Sequence, residues 1–293
     1  MKKKINIRLV GIAVLAILFT LLLTIFVFYE LYIFPVLIFF ALILIGLCML
    51  IALVLFMQTI KKQHQDILKN ARMRQEFTAN VTHELKTPLT SISGYSELIA
   101  NGMATDDDVR RFAREIHRNS TRLLTLINDI IRLSELDVEE EETNFEQVDL
   151  YGIAEDCISM CQFSADKHNV TLSAEGSQCF VEGDKGMLEE VVYNLCDNAI
   201  RYNKEGGTVR VMVQQEGNDV ILSVKDTGIG IPDKHQERIF ERFYRVDKSR
   251  SKSTGGTGLG LAIVKHIVAK HGAEMELHSE VGKGTEIKII FEK

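Results

Sequence analysis

The chain has 293 residues, with 34 Lys and Arg against 40 Asp and Glu for a net charge of −6. That average hides a split: residues 1–57 hold the cations Lys2, Lys3, Lys4 and Arg8 and the single anion Glu30, a balance of +3, which leaves −9 for the other 236 residues. The apolar head excludes a wholly soluble chain, and an acidic body without a surplus of Lys and Arg excludes nucleic acid as a partner.

Leu9 to Tyr29 carries no charge over 21 residues, and Leu31 to Met57 carries none over 27, interrupted only by Pro35. As helices, both exceed the roughly 30 Å hydrocarbon thickness of a bilayer. Lys2–Lys4 also suit the start of a signal peptide, but the first run is too long for one, no small-x-small cleavage site follows, and a second run begins at once. The reading is two transmembrane helices joined by an outer turn around Glu30. Cations flank the first run, and Lys61, Lys62, Lys69, Arg72 and Arg74 follow the second, which puts both termini in the cytoplasm of a multi-pass plasma-membrane protein. A stimulus then arrives within the bilayer or through a membrane partner such as a transporter.

From Gln58 to about Ala100 apolar residues recur at helical spacing, and Asn101-Gly102 stops the run. A second helix starts near Thr105, with Asp106–Asp108 in its first turn, and ends near Leu136. Such a hairpin cannot bury its apolar stripe alone, so pairing with a second copy as a four-helix bundle is expected. Glu139–Glu142 is an acidic linker. Beyond it, helices are expected over Leu150–Lys167, Lys185–Asn203 and Leu259–His271. Strands are expected over Val170–Ser173, Cys179–Val181, Thr208–Gln214, Val220–Asp226, Met275–Ser279 and Glu286–Phe291, which gives an α+β sandwich. The five cysteines are too few and too irregular for a disulfide framework; Cys157 and Cys161 are expected to be packed free thiols, consistent with a reducing cytoplasm.

Four segments carry chemistry. In Phe77–Leu89, His83 sits beside Glu84 and one turn before Thr87, and Pro88 removes a helical hydrogen bond, so a kink is expected at the histidine. A neighbouring carboxylate accepting from one ring nitrogen leaves the other free to attack. The other seven histidines lack this setting, and no HExxH spacing supports zinc. In Asn194–Tyr202, Asn194, Asn198 and Arg201 share a helix face, and neutral amide oxygens suit Mg²⁺ when phosphates supply the remaining ligands, although a plain amphipathic helix looks alike. Asp226-Thr227-Gly228-Ile229-Gly230 ends a strand in a carboxylate and two glycines, as a flat-ligand pocket or an ordinary tight turn would. Gly255–Leu261 opens a helix with clustered glycines, an anion cradle. It does not satisfy GxGxxG, and GxxxxGK[ST] occurs nowhere, which excludes a P-loop ATPase.

In this order, together with Arg238–Arg245 and Gly282–Thr285, these segments resemble the orthodox bacterial sensor histidine kinases over residues 70–293. The resemblance implies a dimeric phosphoacceptor hairpin followed by a GHKL-type ATP-binding domain. With the apolar head and the acidic linker, the expected boundaries are a membrane anchor at 1–57, a signalling helix at 58–75, the hairpin at 76–137, the linker at 138–148 and the ATP domain at 149–293. His83 is then the phosphoacceptor, Glu84 its base, and Thr87 the residue that positions water for dephosphorylating the partner regulator. Asn194 is the Mg²⁺ ligand, Asn198 and Arg201 lie near the phosphates of ATP, and Tyr202 lies by the nucleotide. Asp226 holds the adenine amine, Gly228 and Gly230 line its pocket, Arg245 reaches the γ-phosphate, and Gly256, Gly258 and Gly260 form a mobile lid. Arg201 departs from the family's usual Lys, keeping the charge but changing the hydrogen-bond geometry. Residues 57–74 leave no room for a HAMP or PAS relay, as in intramembrane-sensing members. The implied activity is autophosphorylation from Mg-ATP and transfer to an aspartate of a response regulator; the competing reading is a nucleotide-binding membrane scaffold without turnover.

Overall fold

The structure, a computed structural model, describes residues 2–137, 145–247 and 256–292. It divides into two compact units, residues 1–75 and 76–293. The acidic run Glu139–Glu142 and Gly255 lie outside the described residues.

The first unit is helical. Helix α1 spans Lys2–Phe28, and helix α2 spans Phe34–Ala100 and enters the second unit at residue 76. Where a turn is expected around Glu30, residues Tyr29–Ile33 instead form a π-helical segment. The physical reason is Pro35: it offers no N–H and its ring crowds the carbonyl of Leu31, so the chain relaxes into a wider turn without leaving the helix. Among the described residues one helical run, starting at Val10, is long and apolar enough to cross a membrane, and none of its most apolar stretch is buried.

In the second unit, helix α3 (Asp106–Leu136) begins with a capping box in which Thr105 and Asp108 satisfy each other's backbone N–H groups, as the acidic first turn implied. Then follow β1 (Glu146–Asp149), α4 (Leu150–His168), β2 (Thr171–Gly176), β3 (Phe180–Gly183), α5 (Lys185–Arg201), β4 (Thr208–Glu216) and β5 (Asp219–Asp226). The chain closes with α6 (Asp233–Gln236), α7 (Gly260–Lys270), β6 (Glu274–Glu280) and β7 (Gly284–Phe291). Five strands form a mixed sheet in the order β2-β4-β5-β7-β6, parallel only between β2 and β4. Strand β1 pairs antiparallel with β3 as a separate two-stranded sheet. The linker expected over 138–148 therefore ends early, because residues 146–148 belong to β1. Val148 is the only apolar residue of that strand, so the strand exists through its partner β3 and not through any pattern of its own.

Alternation along β4 buries Val209, Val211 and Val213, which join Leu222 and Ile289 from the neighbouring strands. Helices α4, α5 and α7 supply Ile153, Leu188, Val191, Leu195, Ile263 and Ile267 to the same core. Cys157, Cys161, Cys179 and Cys196 are buried free thiols within it. Burial pushes the Cys157 thiol up to about 12 and that of Cys161 to about 11, so neither forms a thiolate at neutral pH.

His271 joins this core to the start of α5. Its Nδ1–H donates to the Ile267 carbonyl at 2.8 Å, and its Nε2 accepts from the Asp184 backbone N–H at 3.1 Å. The ring stacks on Phe145 with centroids 4.8 Å apart, and Asp184 in turn caps α5 by accepting from Met187 N–H. Protonating Nε2 would set one donor against another, and burial already holds the imidazole below its ordinary 6.5. The same cause lowers His266. A group whose folded pKa is depressed in this way binds protons preferentially in the unfolded chain, so stability is lost as the pH falls below about 6.5. The urea midpoint of a fragment covering residues 76–293 is accordingly expected to be lower at pH 5.5 than at pH 7.5, with a smaller difference in His271→Gln. An equal difference in both would exclude His271 as a source.

Candidate active site

Helix α5 supplies the floor of the site. Asn194 Nδ2 donates to the Glu190 carbonyl and Asn198 Nδ2 to the Asn194 carbonyl, both at 2.9 Å. Each amide nitrogen is thus turned back along the helix, which leaves the amide oxygen without a role in the helix itself. A Cβ on Gly260 would stand 2.7 Å from Asn194 Oδ1, so any side chain there would push the Asn194 amide out of its present position. Arg201 pairs with Asp197 one turn earlier, Nε to Oδ2 at 2.6 Å.

Tyr202 closes α5 and fastens two of the other segments to it. Its carbonyl accepts from Ile229 N–H at 3.1 Å, and Gly228 packs against the same oxygen. The Tyr202 hydroxyl lies beside Gly256. Gly230 adopts φ +67° with the Glu280 carbonyl against its Cα, a position no L side chain could occupy. At the end of β5, Asp226 Oδ1 accepts from Gly228 N–H at 2.7 Å and from Thr285 N–H at 3.2 Å. Burial nevertheless raises its carboxyl pKa, because the desolvation of the anion outweighs the two bonds.

The glycine loop is tied to the segment that precedes it. Phe243 N–H donates to the Gly258 carbonyl at 2.8 Å, and Arg245 packs over Gly258 and donates to the Thr257 carbonyl at 2.8 Å. Arg245 is almost fully buried, with 6% of its side chain exposed, and its second partner is Glu84 on α2, Nη2 to Oε2 at 3.3 Å. The same Glu84 oxygen accepts from Arg122 on α3 at 3.1 Å. Burial and the neighbouring Arg245 lower the pKa of Arg122. Two more pairs join the hairpin to the sheet domain: Arg132 with Glu190 at 2.7 Å, and Arg242 with Asp137 at 2.6 Å, the latter guanidinium also lying over the Phe77 ring. Thr257 Oγ1 donates to Asp129 Oδ2 on α3 at 2.6 Å, and burial raises the Asp129 carboxyl.

His83 is exposed on α2, and Thr87 Oγ1 donates to its carbonyl at 3.2 Å. Pro88 is buried and α2 continues through it to Ala100. The fold therefore brings Asn194, Asn198, Tyr202, Asp226, Gly228, Gly230, Gly256, Gly258, Gly260 and Arg245 into one neighbourhood, and Glu84 joins them through Arg245. Glu84 does not turn toward His83 in this arrangement. Successive helical residues point about 100° apart, and its carboxylate is occupied by two guanidinium groups. Sequence reasoning missed Arg122, Asp129 and Thr257. Asp129 left a trace, an acidic residue between Ile127 and the Ile130-Ile131 pair, but its partner lies 128 residues away.

The family model for the histidine kinase-, DNA gyrase B- and HSP90-like ATPase matches residues 183–293, and that for the His kinase A phospho-acceptor domain matches residues 73–139. The sensor-like histidine kinase SenX3 of Mycolicibacterium smegmatis is 40% identical over 224 residues, 75% of this chain and 58% of that protein. The sensor histidine kinase WalK of Bacillus subtilis is 38% identical over 229 residues, 76% of this chain and 38% of that protein. The chain thus spans little more than half of the first relative and well under half of the second. Full-length ShkA, solved in complex with AMPPNP, superposes with a TM-score of 0.55 at 27% identity, covering 74% of this chain and 45% of its own. The Acinetobacter baumannii histidine kinase AdeS shares the fold, with a TM-score of 0.60 at 24% identity over 72% of this chain and 97% of its own.

Because Asp226 has a raised pKa, the folded chain holds its proton to higher pH than the unfolded chain does, and its charge weakens the fold as the pH rises above about 4. Asp226→Asn keeps an oxygen for both backbone donors and removes the charge. Its urea midpoint at pH 7 is expected to equal or exceed that of the parent fragment, whereas a clear loss of stability would mean that the carboxylate itself holds the turn.

Proposed function

The chain belongs to the two-component sensor histidine kinases, and from that premise we propose that it phosphorylates its own His83 from Mg-ATP and passes the phosphoryl group to an aspartate of a cytoplasmic response regulator. The observation that carries the reading is the convergence of the Asn194 amide, the Asp226 carboxylate, the glycine loop and Arg245 in the unit that also carries His83. The close approaches at Gly228 and Gly260 fit a nucleotide: they keep side chains out of the space beside a carboxylate that can accept from the adenine amine and an amide oxygen that can ligate a hard cation. Tyr202 and Gly230 complete the base pocket, Asn198 and Arg201 serve the phosphates, and Gly256 and Gly258 free backbone N–H groups for them.

Mg²⁺, when bound through Asn194, neutralises charge on the phosphate oxygens. A lone pair on the His83 ring attacks the γ-phosphorus, the bond to the β-phosphate oxygen breaks, and ADP leaves with the electron pair. Arg245 stabilises charge on the transferring group, and Glu84 takes the ring proton. Thr87 positions water for the reverse service, hydrolysis of the regulator's acyl phosphate.

The hairpin of α2 and α3 leaves Leu89, Leu124 and Ile131 more than half exposed, which supports a homodimer closed as a four-helix bundle. Residues Val10–Met57 as one helix would run about 72 Å, more than twice the hydrocarbon thickness. The membrane reading is therefore two crossings of the plasma membrane that reverse near the π-helical segment, with both termini in the cytoplasm. The stretch between the two crossings is too short to fold as a domain, which supports a stimulus read within the bilayer or from an integral partner such as a transporter. The hairpin is assigned to residues 76–137 and the ATP domain to the residues from β1 onward.

Incubating the chain with γ-labelled ATP is expected to yield acid-labile, base-stable label that is absent in His83→Gln; label persisting in that variant would sink the assignment. Thr87→Ala is expected to retain autophosphorylation and to lose most of the dephosphorylation of its partner regulator. If dephosphorylation is unchanged, Thr87 does not have this role.

A further inference from the structure

Arg245 cannot serve a phosphate in the arrangement described, because both its partners belong to the resting protein: the Glu84 carboxylate and the Thr257 carbonyl. Thr257 is itself held from the other side, its hydroxyl donating to Asp129 at 2.6 Å and accepting from Leu259 N–H at 3.3 Å. Asp129 and Glu84 stand on the two helices of the hairpin, and Arg245 and Thr257 belong to the ATP domain, so the four residues form one polar circuit. Thr257 is 8% exposed, which shields its bond to Asp129 from water.

We propose that Asp129 is a positioning residue of the resting state: acting through Thr257, it holds Arg245 on Glu84 and away from the phosphates until ATP displaces it. The exchange balances in charge: Arg245 trades a carboxylate for a phosphate oxygen, and Glu84 keeps Arg122 as its counter-ion while its share of the second guanidinium is given up. By linkage, whatever stabilises the resting circuit weakens apparent ATP affinity by the same factor. The inference rests on the kinase reading above and goes beyond it by assigning Asp129 and Thr257.

The test uses the full chain in lipid nanodiscs, with autophosphorylation kinetics and binding of a fluorescent ATP analogue measured for Thr257→Val, Thr257→Ser and Asp129→Ala. A charge-assisted hydrogen bond of this kind predicts that Thr257→Val and Asp129→Ala each lower the KM for ATP and the analogue's dissociation constant by about tenfold. In both variants kcat is expected to be at least that of the parent, and Thr257→Ser, which restores the hydroxyl, should match the parent. Unchanged or weakened binding in the two disruptive variants, or Thr257→Ser behaving as Thr257→Val, would overturn the proposal; Asp129→Ala decides alone if Thr257→Val does not fold. Equal analogue binding by all variants overturns this inference and leaves the kinase reading intact, whereas no binding by the parent chain overturns both.

Discussion

Helix α5 must satisfy two demands that compete for the same 17 residues. One face, from Leu188 to Ile200, seals the core against α4, α7 and the sheet, and the other has to approach two loops closely enough for a ligand to touch both. The second demand is met by subtraction: at Gly228 and Gly260 the missing side chain lets Tyr202 and Asn194 come within contact of the loop backbone. At Gly228 the atom in the way of a side chain would be the Tyr202 carbonyl oxygen, which is backbone and cannot swing aside. The positions of Asn194, Asn198, Tyr202 and Asp226 relative to one another follow from that single closeness, and His271 secures it by tying the last turn of α7 to the cap of α5.

The electrostatics of the second unit are local and not global. A body with a balance of −9 nonetheless places a few arginines between its carboxylates. Arg122, Arg132, Arg242 and Arg245 each bind an acid, and three of the four do so between the hairpin and the sheet domain. Exposed ion pairs contribute little to stability, but Arg245 with Glu84 and Arg122 with Glu84 are largely withdrawn from water. A partly buried cation between two possible anions suits exchange, because neither state leaves a charge unpaired.

Much of this was legible in the residues. The 3.6-residue period outlined α3, α4, α5 and α7, and strict alternation outlined β4, because burial on one face leaves the same imprint wherever it occurs. The acid run at 106–108 marked a cap that the structure closes with Thr105. Strand β1 and helix α6 left no imprint: each has four residues, and pairing or local turns decide their form. The outer turn around Glu30 was inferred from charge and length. Hydropathy reports the solvent a segment prefers, whereas the backbone around Pro35 follows from hydrogen-bond geometry, which there permits a π-helical segment.

By itself the sequence determined the apolar head, the helical hairpin with His83, Glu84, Thr87 and Pro88 in order, and the glycine-bearing segments of an ATP domain. All of these depend on spacing within a few residues of the chain, where periodicity, turn chemistry and motif order act. Only the tertiary structure decided which partner each charged group takes. Glu84 meets Arg122 and Arg245 across 38 and 161 residues, and Thr257 meets Asp129 across 128. Pairings at that separation are set by how the two helices of the hairpin pack on each other and on the sheet domain, which no local pattern encodes.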